Sequence, residues 1–138
     1  MQSTNFIVKF SPEFDKHLEI FLKEHYRKNP KEKETFKNFL NSLIQKLRER
    51  GCLSPELKTS FMNFPTNIPQ EIKKNYHLVK VKFKAPELRG SAREGRLICL
   101  CNKKENEIYI LTVYSHKQFA KQPSIELIKT WLKILNLS

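Results

Sequence analysis

A chain of 138 residues is one domain with enough length to bury a real core. Lysine and arginine number 26 against 14 aspartates and glutamates, a formal charge of +12; the excess favours a polyanionic partner, nucleic acid or an acidic protein segment, and says nothing about fold. The longest apolar run, Leu97 to Cys101, is about five residues where a bilayer-crossing helix needs roughly 20, and the amino terminus has no signal-peptide core, so the expectation is a soluble, cytoplasmic protein with no membrane partner.

In chain order, Asn5 to Phe10 reads as a strand. Ser11-Pro12-Glu13 then reads as a helix start, with Ser11 at the N-cap and proline at the first helical position. Phe14, Leu18, Phe21 and Leu22 fall on one stripe and predict a helix to about His25. Asn29-Pro30 opens a second helix, in which Phe36, Phe39, Leu40, Leu43, Ile44 and Leu47 recur at three- and four-residue steps; Gly51 is its expected C-cap. Residues 52–76 form a long connection divided by Pro55, Pro65 and Pro69, with at most a turn or two of helix between Pro69 and Asn75. It reads as a packed structural loop in preference to a substrate lid, with Phe61, Met62 and Phe64 available to pin it to the core.

Three short β-type runs follow: Leu78 to Phe83, Arg96 to Cys101 and Glu107 to Tyr114. Their short connections predict consecutive antiparallel strands. In the first, Val79, Val81 and Phe83 alternate with Lys80, Lys82 and Lys84, so one face is greasy and the other cationic. A helix from about 124 to 135 closes the chain, with Trp131 as core or partner contact. The pattern is β-α-α-loop-β-β-β-α, an α+β fold in which an N-terminal helical hairpin packs the greasy side of an antiparallel sheet. Cys52, Cys99 and Cys101 are odd in number and read as reduced core cysteines.

The cationic strand face meets polar groups on its neighbours. Arg96 opens the middle strand after Gly95, and the third runs out into Tyr114, Ser115, His116 and Lys117. Lysines, an arginine, an imidazole and a phenol on one face are the parts needed to hold a phosphate and move protons around it. Arginine grips two phosphate oxygens and keeps its charge. Histidine titrates near neutrality. A lysine acts as a base only where cationic neighbours depress its pKa, and Lys80 beside Lys82 supplies that crowding. Arg89 and Arg93, in the loop before Gly95, suit contacts to an RNA backbone.

The order of elements resembles the RelE/ParE superfamily of bacterial toxins. FIVKFSPEFDKHLEIFLKEH resembles its N-terminal part, and VKVKFKAPELRGSAREGRLICLCNKKENEIYILTVYSHK its second half, through the basic strand, the glycine-containing basic loop, the Gly95-Arg96 strand start and the last strand ending in Tyr, His and Lys. Most relatives place an aromatic between that glycine and arginine, whereas here the two are adjacent. The resemblance implies one RelE-like domain over 1–138, of the barnase-type microbial ribonuclease fold. It implies a toxin held inactive by a cognate antitoxin and cutting messenger RNA at the ribosome by attack of the RNA's own 2′-hydroxyl, with no metal and no cofactor. Carried over by position, Lys80, Lys82, Arg96, Tyr114, His116 and Lys117 are the catalytic candidates, and Lys84, Arg89 and Arg93 the RNA-binding ones.

Plainer readings stand beside these. The three lysines suit a charged edge strand that resists aggregation, Arg96 an ordinary surface arginine, and His116 a loop histidine. His17, His25 and His77 have no ligand spacing with the cysteines, so no metal site is expected. Two other functions remain open: a ParE-like inhibitor of DNA gyrase, and a non-catalytic RNA- or ribosome-binding protein. The expected antitoxin is acidic and partly disordered, to match the basic surface.

Overall fold

Three long strands in the second half of the chain and two short ones from the first half form a five-stranded sheet in the order β1-β5-β4-β3-β2. The computed structural model describes residues 5–64, 68, 70–102, 105–118 and 129–130. The strands are β1 (Ile7–Phe10), β2 (Lys58–Phe61), β3 (Tyr76–Lys84), β4 (Glu94–Asn102) and β5 (Glu107–Ser115). β3, β4 and β5 are consecutive antiparallel neighbours, as expected, and β1 joins the outer edge of β5 in parallel. The expected helix at 124–135 lies outside the described residues except for Lys129 and Thr130, which are helical; Trp131 lies outside them too.

The helices α1 (Phe14–Tyr26) and α2 (Pro30–Arg50) cover the greasy face. Asn29 caps α2 by accepting from the Glu32 N–H at 3.1 Å, and Pro30 occupies the first turn. Gly51 ends the helix at φ +82°, donating its N–H to the Leu47 carbonyl at 2.8 Å. Phe21 stacks on Phe36 at 4.8 Å and Phe39 meets Phe83 at 5.6 Å, so the two helices and β3 share one aromatic cluster over Val79, Val81, Leu97 and Cys99. Burying such rings contributes about 1.5–3 kcal/mol each.

Several expectations change. Ser11 does not cap α1: Glu13 holds the cap position, and the Ser11 hydroxyl donates instead to the Leu111 carbonyl at 2.7 Å. The long connection is not all loop, because Lys58–Phe61 pairs with β3 and makes it an interior strand. Charge on β3 is therefore not protecting an edge. The remainder of the connection, with α3 (Gln70–Asn75), packs Met62, Phe64 and Ile72 against a second small core of Leu78, Ile98, Leu100, Leu111 and Tyr114. The sheet's second face is thus half apolar and covered, half cationic; Phe61 stays 63% exposed and pins nothing to the core, although its ring meets that of His77. Cys52 and Cys101 are joined as a disulfide, leaving Cys99 as the buried free thiol, so the expected set of three reduced cysteines is corrected to one. A chain separation of 49 residues hid that contact.

Candidate functional site

Cross-strand pairing makes the site. Lys58 of β2 stands opposite Lys82 of β3, Lys82 opposite Arg96 of β4, and Arg96 opposite Tyr114 of β5. Directly paired residues project to the same side, at the strand spacing of about 4.8 Å. One row across four strands therefore carries three cations and a phenol.

Gly95 fixes where Arg96 points. Phe83 lies over Gly95 so closely that a Cβ there would sit 2.1 Å from the ring. Arg96, the next residue, takes the opposite face, half-buried, with one guanidinium nitrogen donating to the Gly95 carbonyl at 2.8 Å. Lys80, two residues from Lys82 on the same face, is half-buried; burial, then the charges of Lys82 and Arg96, hold its pKa below the ordinary lysine value. That is the direction a lysine base requires. Tyr114 is only 2% exposed, and burial pushes its phenol up to about 12 although Arg96 pulls it down.

The other candidates lie around this row. Lys84 is engaged by Glu94 in an ion pair. The short helix α4 (Gly90–Arg93) carries the basic loop, with Arg89 and Arg93 exposed beside Lys84 around a hollow of about 340 Å³. His116 and Lys117 are exposed in the turn after β5. The His116 N–H donates to the Glu94 carbonyl at 2.8 Å and the Lys117 N–H to the Ser91 carbonyl at 3.2 Å, which ties the turn to α4 and the start of β4. Lys117's charge also acts on His25 of α1. Among the described residues no group of histidine, cysteine and carboxylate side chains is placed to hold a metal ion, and no helix is long and apolar enough to cross a membrane.

No protein-family model matches the sequence, and no curated protein matches it. Three solved structures do. An archaeal RelE–RelB complex from Pyrococcus horikoshii is similar at 20% identity and a TM-score of 0.46, over 80% of this chain and 94% of that one. A metal-bound toxin from Helicobacter pylori is similar at 18% identity and a TM-score of 0.47, over 83% and 98%. A doubly substituted RelE toxin from E. coli in its free state is similar at 14% identity and a TM-score of 0.43, over 94% and 96%.

Sequence reasoning missed part of the surroundings. Lys58 and Lys46 join the basic surface, and with Phe39, Leu57 and Phe83 they line a cleft of about 490 Å³ that also opens on Lys82 and Arg96. Periodicity assigns Phe39 to the core, but it is only partly buried. The histidines of α1 have structural partners: His25 Nε2 lies 2.8 Å from the Ser115 hydroxyl and His17 Nδ1 2.8 Å from that of Thr112. No spacing rule links residues that far apart in sequence.

Proposed function

We propose that this chain is the toxin of a toxin–antitoxin pair of the RelE kind and acts as a metal-independent endoribonuclease on messenger RNA at the ribosome. The observation that carries the reading is the pairing of Lys82 with Arg96 beside a half-buried Lys80 of lowered pKa. It is joined by the sequence resemblance and by the net charge of +12. In-line attack by a 2′-hydroxyl needs a base, cations for the charge growing on the non-bridging oxygens, and an acid for the departing 5′-oxygen.

Arg96 and Lys82 take the phosphate, because their charges converge from adjacent strands. Lys80 takes the 2′-hydroxyl proton. His116 gives a proton to the 5′-oxygen from the turn after β5, which its N–H ties to the start of β4 next to Arg96. Tyr114, being buried, positions Arg96 by packing against it, and Lys117 adds positive charge at the rim. Arg89, Arg93 and Lys84 follow the RNA backbone. An acidic, partly disordered antitoxin would neutralise the same face.

The test is expression of wild-type and substituted chains in growing cells, with mapping of breaks in translated messages. Wild type produces discrete breaks; Arg96→Ala and His116→Ala abolish them while the variants still fold and still sediment with ribosomes. Breaks at the wild-type rate in Arg96→Ala would remove that residue from the mechanism. Intact messages with failed DNA supercoiling would replace the reading by gyrase inhibition.

A further inference from the structure

The cleft of about 490 Å³ between α2 and the β2–β3 end of the sheet shares Lys82 and Arg96 with the phosphate site and extends beyond it to residues that the chemistry above does not use. Its floor is apolar: Leu43, Leu57 and Phe83 are buried there, and Phe39 leans on Phe83 with its other side open. Its rim is basic. Lys58 continues the Lys82–Arg96 row to its last strand, and Lys46 faces it from α2. Two carboxylates also line the cleft, but Glu94 is paired with Lys84, and Glu56 with Arg50 at 3.4 Å. Among the described residues no carboxylate lies within ion-pair distance of Lys46, Lys58 or Lys82. An open aromatic face beneath unneutralised lysines is the combination that holds a base together with its phosphate.

We infer that this cleft is a nucleotide subsite for single-stranded RNA, in which the base next to the reacting phosphate stacks on Phe39 while Lys58 and Lys46 hold its phosphate. The inference rests on the ribonuclease reading for the identity of the ligand and deepens it by naming where the strand leaves the sheet. Stacking tolerates any base, so the subsite sets affinity and register more than sequence preference.

The test uses a fully 2′-O-methylated oligoribonucleotide, which lacks the nucleophile and is not cut, and inorganic polyphosphate as a probe without bases. Affinities are measured for wild type, Phe39→Leu, Phe39→Tyr and Lys58→Gln, each first shown by thermal melting to be folded. The expected result is about a tenfold loss of oligonucleotide affinity in Phe39→Leu, near wild-type affinity in Phe39→Tyr, and unchanged polyphosphate binding in both. Lys58→Gln weakens both ligands and lowers the slope of log affinity against log salt by about one. Oligonucleotide affinity unchanged in Phe39→Leu, or lost equally for both probes, overturns the subsite and leaves the ribonuclease reading standing. A wild type that cuts no message yet shows the Phe39 dependence overturns the ribonuclease reading and leaves the subsite.

Discussion

Tyr114 stands opposite Arg96 because β5 carries one extra residue between them and the start of the strand. Thr112 pairs with Ile98 and Ile110 with Cys99, so Leu111 has no partner on β4. Without that bulge, alternation would set Tyr114 on the helix face with Ile108 and Ile110. With it, Val113 joins the helix-side core, and Leu111 and Tyr114 face the other way. Deleting Leu111 should make the ladder regular and keep the register, since Ile110 stays with Cys99, Thr112 with Ile98 and Tyr114 with Arg96. The expected cost is that of a fully buried leucine taken from the second core, about 2–5 kcal/mol, read as a lower urea midpoint; a deletion that does not fold at all would show that the bulge itself is needed to hold the two strands together.

Gly95→Ala tests the contact that aims Arg96. Its methyl would meet the Phe83 ring, which packs among Phe21, Phe36 and Phe39. A loss of about 1–3 kcal/mol is expected from overpacking, read as a lower urea midpoint. Adding Phe83→Leu should return part of it, and strict additivity of the two changes would argue against direct contact.

Acid should loosen α1. Burial is the first cause that lowers the pKa of both His17 and His25 below the ordinary histidine value. The unfolded chain then binds more protons between that lowered pKa and about 6.5, so stability falls as pH drops through this window and is fully present above it. Melting temperatures between pH 8 and pH 5 should show the decline, and His17→Gln with His25→Gln should flatten it. An identical decline in the double variant would assign the effect to other groups.

Under the proposed mechanism the pH–rate profile should be bell-shaped, because Lys80 must be unprotonated to accept the 2′-hydroxyl proton while the group that serves the 5′-oxygen must keep its own. The lowered pKa of Lys80 raises the fraction of molecules in that state. Lys80→Arg keeps the charge but supplies no base, so it should lose about 10²-fold or more in rate while binding uncleavable RNA normally. A variant whose pH–rate profile matches that of wild type would assign the base elsewhere.

The Cys52–Cys101 disulfide closes the chain between the end of α2 and the end of β4, across 49 residues. Reduction, or Cys52→Ser, should lower stability by about 2–4 kcal/mol, measured by denaturant unfolding with and without dithiothreitol. Cys99, buried with its thiol pushed up to about 12, should resist alkylation in the folded protein under both conditions. Equal stability with and without the bond would assign the fold's strength wholly to its core.

Local chemistry made much of this legible from residues alone. Asn29, Pro30 and Gly51 mark both ends of α2 because capping groups act within a turn of their own helix. Val79, Val81 and Phe83 set apart the buried face of β3 from Lys80, Lys82 and Lys84 because a strand's two-residue period is written directly in its side chains. Lys80, Lys82 and Arg96 stood out for the same reason.

Other features depend on residues far apart in the chain. Lys58 to Phe61 lacks a long alternating run, and only the β3 edge beside it makes it a strand. Phe39 repeats with the helical period like any core residue, and only the place where β2 begins leaves one side of its ring open.

By itself the sequence determined β1, the two long helices and the three consecutive strands, the greasy and charged sides of β3, and the cationic groups on offer, since each follows from neighbours within a few positions. Tertiary structure decided which of those groups meet: the unpaired Leu111 turns Tyr114 towards Arg96, and β2 carries Lys58 to the end of the row. Both are matters of register between strands, and register is set by how whole segments pack, which no short stretch of residues encodes.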